Sequence, residues 1–309
     1  MAKPRSIPSD YKVFAALPVN MVTVGDPHEQ MAVHVSGQLG GGRLPLVCVP
    51  GYHRNMADFA DFVRVMRQLD PEQVVVLVDL KGRGRSADRA RRDHYSTVED
   101  ASDLAEVLRA LAIERAVFVG QGHGGQVVMA LAAQKPTMIA GTVLVDAGPV
   151  ADVRGLVRLR TMLDDLEGVR SAQGLRAMLR RMLAAEYPGL PEETLDSLAM
   201  RAHFIDKRNR AVRLFDGALV RLLDDFDFDD VLVAQWALFD ALAQAPLLMM
   251  RTQLTQQLRR ETFDEMMRRR DSEAYVIEGQ GSPALLDNAE DVQPIVEFVR
   301  QIQRPKKAA

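Results

Sequence analysis

Two histidines and a serine stand beside glycine-rich turns in this chain of 309 residues. Such groups are the raw material of nucleophilic and proton-transfer chemistry. His123 lies in Gly120-Gln-Gly-His-Gly-Gly125, His53 follows Pro50-Gly51-Tyr52, and Ser282 lies in Gly279-Gln-Gly-Ser-Pro-Ala284. His123 and Ser282 with a bound water could act on a small ester or lactone, provided the fold brings them within hydrogen-bond range. Gly120, Gly122 and Gly125 also satisfy GxGxxG, and Asp146 ends the next apolar run. That is the dinucleotide-binding fingerprint in outline. The same glycines suit a second device, the sharp strand-to-helix turn that presents a nucleophile as G-x-S-x-G. Gly122 then occupies the nucleophile's place and offers no attacking atom. No H-x-x-x-H spacing points to a metal, and no cofactor is expected. Cys48 sits in an apolar run and reads as a small core residue. The acidic stretch from Asp224 to Asp230 lacks the glycine and glutamate of a calcium loop and reads as solvated, anchored by its two phenylalanines. The arginines at 83, 85, 89, 91 and 92, interrupted by Asp88 and Asp93, read as a solvated loop.

These residues need a scaffold, and the apolar periodicity supplies one. Short strands are expected at 21–24 and 31–35, joined by a turn through Gly25-Asp26-Pro27. Apolar runs at 44–49, 74–80, 115–119 and 139–145 have the look of buried strands. Helical spacing fills 55–69, 97–111 and 123–134, with Thr97 as a possible cap. Strands alternating with helices imply a parallel sheet with right-handed crossovers. From 151 to 244 the spacing is helical almost throughout, without a buried strand run. Strand and helix then alternate again at 246–250, 261–269, 274–277 and 288–302. The expected fold is α/β: a mostly parallel central sheet, flanked by helices, built from 1–150 and 245–309. A helical cap, 151–244, is inserted over the edge where open α/β sheets bind ligands.

Three stretches in this order carry a family resemblance: Leu46-Val-Cys-Val-Pro-Gly-Tyr52, Asp79-Leu-Lys-Gly-Arg-Gly-Arg-Ser86 and the turn at 120–125. With Val145-Asp-Ala-Gly-Pro149 they resemble the α/β-hydrolase superfamily, in particular its capped bacterial branch. The resemblance runs from about 44 to 299. It implies a Ser-His-acid triad, and here each implied position is substituted. The nucleophile position is Gly122. The acid position after the 246–250 strand falls on Gln256, and 246–260 hold no Asp or Glu. The histidine position falls on Ser282, and no histidine follows His203. Some relatives carry the acid one strand earlier, near Asp146, which here has no late-loop histidine to orient. The resemblance also implies oxyanion-type donors, the backbone N–H groups of Tyr52 and His123. The implied pocket is lined by Tyr52, His53, Gly122, His123 and Ser282.

The expected function is therefore that of a pseudo-hydrolase, a non-hydrolytic protein that binds a small apolar molecule or a protein partner. Hydrolysis by displaced chemistry at His123 and Ser282, and dinucleotide binding at Gly120-Gly122-Gly125, stand as alternatives. The 39 basic and 42 acidic side chains give a net charge of −3, which offers no general attraction for nucleic acid. One cysteine excludes an internal disulfide framework. The first residues lack an apolar leader core and no run spans a bilayer, so a cytoplasmic protein without membrane contact is expected. Nothing in the residues specifies an oligomeric state.

Overall fold

A computed structural model describes residues 7, 11–25, 28–91, 94–167, 169 and 171–304. Part of the turn expected at Gly25-Asp26-Pro27, Arg92 and Asp93 lie outside the described residues. Eight strands form one sheet: β1 (Asn20–Val24), β2 (Glu29–Ser36), β3 (Leu46–Val49), β4 (Val75–Val78), β5 (Ala116–Gln121), β6 (Ile139–Val145), β9 (Leu247–Thr252) and β10 (Glu273–Ile277). Their spatial order is β1-β2-β4-β3-β5-β6-β9-β10. β1 and β2 run antiparallel to their neighbours, and the strands from β4 to β10 in that order pair in parallel. Every residue of β3, β4, β5 and β6 is buried, which explains why those strands read as unbroken apolar runs rather than as alternating ones.

Side chains still alternate between two cores. Val47, Val49 and Phe118 face one, with α2 (Thr97–Ala110) and α3 (His123–Gln134). Leu46, Cys48 and Val117 face the other, with α1 (Ala60–Leu69) and α10 (Ala289–Gln303). Helix α9 (Arg260–Arg269) adds Phe263 and Met266 to the first core. The cap on α2 is Ser96 rather than Thr97: its hydroxyl accepts from Glu99 N at 3.2 Å. Cys48 is fully buried, as its apolar run implies.

The inserted segment differs from its reading in two ways. Its first half is helical, with α4 (Val153–Glu167), α5 (Ala172–Glu186) and α6 (Glu192–Met200). It then forms an antiparallel hairpin, β7 (His203–Ile205) and β8 (Ala211–Arg213), before the short helix α7 (Ala218–Arg221). Three-residue strands are too short to leave a period-two signature. Helix α8 (Trp236–Asp240) and the turn after it place Phe239 and Leu242 in the sheet's own core. The segment that packs as cap therefore ends before 236. Phe226 is half-buried, but Phe228 is 55% exposed, so only one of the two rings in the acidic stretch serves as an anchor.

The glycine-rich loop after β4 is not a solvated arginine loop. Lys81, Arg83 and Arg89 are 2%, 1% and 5% exposed. Lys81 pairs with Glu29 and Asp103, Arg89 with Asp103 and Asp100, and Arg83 with Asp100, all within 3.2 Å. Charges alternate along this row, so each buried cation meets a carboxylate. The loop also seats the cap. Gly84 N donates to Leu214 O at 2.6 Å and Asp216 N to Gly82 O at 2.7 Å. Among the described residues no helix is long and apolar enough to cross a membrane.

Candidate functional site

The elbow is built by β5, a single-residue turn and α3. Gly122 has φ 50° and ψ −116°, left-handed backbone that costs a side chain energy. Its N–H donates to Val145 O at 2.9 Å, and its carbonyl accepts from Gly125 N at 3.0 Å. The flanking glycines are required by contact. A Cβ on Gly120 would lie 2.5 Å from Gly125 Cα, and one on Gly124 would lie 2.1 Å from Val49 O. Close strand–helix packing thus accounts for the GxGxxG spacing. A Cβ on Gly122 itself would meet Gln257 Oε1 at 2.5 Å. The amide oxygen of Gln257 therefore fills the space directly above the turn, where a nucleophile side chain would project.

Ser282 lies in the loop after β10, and the carboxylate beside it is Asp146. Ser282 Oγ donates to Asp146 Oδ2 at 2.5 Å. Thr252 donates to the same carboxylate through its N–H (2.8 Å) and its hydroxyl (2.7 Å). Because the Ser282 proton is engaged, the 2.7 Å contact between Thr255 Oγ1 and Ser282 Oγ has Thr255 as donor. Gln257 N in turn donates to Thr255 Oγ1 at 3.1 Å. A polar chain thus runs from the loop after β9 to the end of β6. Burial pushes the Asp146 carboxyl above its ordinary range, while the Ser282 and Thr252 hydrogen bonds pull it back. Gln256, expected at the acid position, instead accepts a hydrogen bond from Arg158 of α4 and is exposed. A carboxylate does meet the 282 position, but it comes from the strand before the one that precedes Gln256.

His123 opens α3. Its Nε2 lies 3.0 Å from Asp100 Oδ2, and its ring meets Tyr52 edge-on at 5.4 Å. Burial raises the Asp100 carboxyl, but Arg83, His123 and Arg89 outweigh it and hold the group far below the usual carboxylate range. His123 is thus held by Asp100, whereas Ser282 is held by Asp146 and Thr255. The structure does not join His123 and Ser282 as a hydrogen-bonded dyad. Tyr52 is fixed by its hydroxyl on Leu219 O (2.9 Å) and by Arg83 Nε on its carbonyl (2.8 Å). Burial pushes its phenol up to about 12. Among the described residues, the backbone N–H groups of Tyr52 and His123 meet no protein acceptor. His53, by contrast, packs edge-on against Phe215 of the cap at 5.5 Å.

Three site residues left no trace in the sequence pattern. Gln257 and Thr255 lie beside the expected acid position but have no family signature. Glu186 ends α5 in the cap. Its Oε2 accepts from Ser282 N at 3.3 Å and its carbonyl from Gly281 N at 2.6 Å. A Cβ on Gly281 would lie 1.9 Å from that carboxylate oxygen, so a larger residue there would turn the Glu186 side chain aside. Burial raises the Glu186 carboxyl, against the pull of the Ser282 hydrogen bond. A cavity of about 240 Å³ lies elsewhere, between α6, Asp61 of α1 and Asp287, with Arg201 and Leu285 in its walls. None of the residues expected to line the pocket borders it.

A sheet of this order, a glycine-framed elbow between β5 and α3, and a cap inserted after β6 define an α/β-hydrolase fold. The chain belongs to the Alpha/beta hydrolase family, whose profile matches residues 46–294. A crystal structure of an alpha/beta hydrolase from Novosphingobium aromaticivorans superposes with a TM-score of 0.81 at 26% identity, covering 93% of this chain and 99% of that one. The 3-hydroxybutyrate-oligomer hydrolase of Cupriavidus necator is 27% identical over 78% of this chain and 82% of its own length. A putative carbamate hydrolase, RutD, from Escherichia coli is 35% identical over 47% of this chain and 55% of its own. The chain spans 26% of the length of a similar uncharacterized protein from Mycobacterium tuberculosis, at 39% identity.

Proposed function

We propose that this protein binds a small polar carbonyl or carboxylate compound at the elbow and does not turn it over as a serine hydrolase. The observation that carries this reading is the substitution geometry at Gly122. The turn keeps its left-handed backbone, yet the space above it holds the Gln257 amide oxygen and no hydroxyl or thiol. The rest of the surroundings supports it. The hydroxyl at 282 donates to a carboxylate and has no imidazole to deprotonate it. The Tyr52 and His123 amides offer a carbonyl-sized oxygen two donors. Asp146, Ser282, Thr255, Gln257 and Glu186 are polar, so the expectation of an apolar ligand gives way to a polar one. An apolar compound would offer the Tyr52 and His123 amides no oxygen to hold. Partner proteins and dinucleotides gain no support from this geometry.

The test is restoration. Asp146 already stands beside position 282, so two substitutions should suffice: Gly122→Ser with Ser282→His. The wild type should turn over p-nitrophenyl acetate and short lactones near background and resist a fluorophosphonate probe. The double variant should gain about 100-fold or more in ester hydrolysis, the lower range of general acid–base assistance. Probe labelling of the wild type at a single serine would overturn the proposal.

A second reading draws on one contact. The 3.0 Å His123–Asp100 pair has the base-and-orienter arrangement of a proton relay, beside the oxyanion-type donors. In this reading His123 activates a water against a bound ester. Ester turnover by the wild type that survives Ser282→Ala and is lost in His123→Gln would favour it over simple binding.

A further inference from the structure

We propose that His53 and His203 form an acid-sensitive clasp between core and cap, closed while both rings are neutral and released when they take up protons. His53 lies in the core loop beside Tyr52, and His203 opens the cap strand β7. Both rings pack edge-on against one cap ring, Phe215, at 5.5 Å and 5.6 Å. The Nδ1 atoms of both are buried and, among the described residues, have no hydrogen-bond partner. A neutral imidazole tolerates this, because one nitrogen carries no proton. An imidazolium must donate from both nitrogens, and the buried Nδ1 of each ring meets no acceptor among the described residues.

The charges around the pair oppose protonation. Arg54 and Arg83 both repel a charge on His53, the two histidines repel each other, and Arg54 repels one on His203. Arg213 is the register partner of His203, and its guanidinium lies 6.0 Å from the Phe215 centroid. The nearby acids are engaged by other groups. Asp58 pairs with Arg54 at 2.6 Å, and Asp100 with Arg83, Arg89 and His123. Asp216 accepts from Tyr95 and from Ala218 N. Tyr11 donates to the His203 carbonyl, not to its ring. Burial, followed by these cations, places His53 well below its ordinary value and His203 at about 4.

The sign follows from linkage. In the released form both rings meet water and titrate near 6.5. The closed form is therefore fully favoured above that value and loses ground as pH falls toward 4. Release frees the β7–β8 hairpin and Phe215, which bridges to Arg83, and it loosens the loop that carries the Tyr52 amide. Acid thus acts on the elbow through the cap.

The experiment is amide hydrogen exchange on the full chain, corrected for intrinsic rates, read at 51–56 and 203–216. With two protons taken up and each ring titrating near 6.5 in the released form, opening should rise by about 60-fold between pH 6 and pH 5. His203→Phe should reduce that response to about eightfold, and the double variant with His53→Phe should flatten it. His203→Lys should open the hairpin already at pH 7.5. Wild-type exchange that ignores pH, or an acid response undiminished in the double variant, overturns the clasp. Should a variant fail to fold, the ring-proton NMR titration of the wild type decides. A His203 that titrates near its ordinary 6.5 in the closed protein overturns the proposal, whereas titration near 4 sustains it.

Discussion

At position 122 the physics is a matter of one missing atom group. Gly122 accepts a φ of 50° at little cost, and the Gln257 oxygen fills the space a side chain would claim. Gln257 is exposed, so it can swing away. Gly122→Ser should fold, and alone it should leave ester hydrolysis near background, because no imidazole reaches it. In the Gly122→Ser, Ser282→His variant the aiming group is Asp146, which already receives three hydrogen bonds at that spot. Asp146→Asn in that background should remove about 100-fold or more of the gained kcat, as loss of the orienting acid does in a triad. Gln256→Asp should add nothing, since Gln256 faces Arg158 of the cap. Steady-state kinetics on p-nitrophenyl acetate check all three outcomes.

Between elements, the elbow depends on contacts that no side chain may enter. Gly124→Ala would press a methyl group against Val49 O at 2.1 Å, a backbone atom that cannot rotate away. Urea unfolding should show a loss of about 1–3 kcal/mol or more, as for overpacked sites. Gly41→Ala meets only Gln38 O at 3.9 Å and should stay within about 0.5 kcal/mol of wild type. The row of buried charges joins α2 to the glycine-rich loop and so to the cap. Asp100→Asn leaves Arg83 and His123 without their shared carboxylate and should cost about 3–5 kcal/mol, the range for breaking a buried pair.

Over the whole molecule, cap and core share apolar packing. The cap's apolar cluster includes Leu163, Leu175, Leu179 and Phe215, but also Tyr95 and, at its margin, Tyr52 of the core. Trp236, the single tryptophan, meets Phe239 edge-on and lies under Arg269 on the core side. Thermal unfolding followed by Trp236 fluorescence and by far-UV circular dichroism should therefore coincide in one transition. Stability against pH should fall in two stages. The first, between about 6.5 and 4, comes from His53 and His203 and should vanish in the double phenylalanine variant. The second comes from Asp100, whose folded value is depressed. Its contribution is complete above its ordinary 3.8 and is lost as pH falls through the folded value, so this stage should persist in that variant.

Strand runs such as Leu46–Val49 and Ile139–Val145 were legible in the sequence because burial on both faces demands unbroken apolar stretches. The glycine frame at 120–125 was legible because close packing tolerates no larger residue there. The absence of a nucleophile at 122 is likewise a fact of residue type. Partnerships were not legible. Asp146 meets Ser282 across 136 positions, and Glu186 reaches the same loop across 96. Asp100 lies in the first turn of α2, where an acid needs no tertiary partner, yet it holds His123 and two arginines. Periodicity reports which way a side chain faces within its own element. A hydrogen bond between elements depends on how the sheet and cap dock, so the tertiary structure alone decided which carboxylate serves which neighbour.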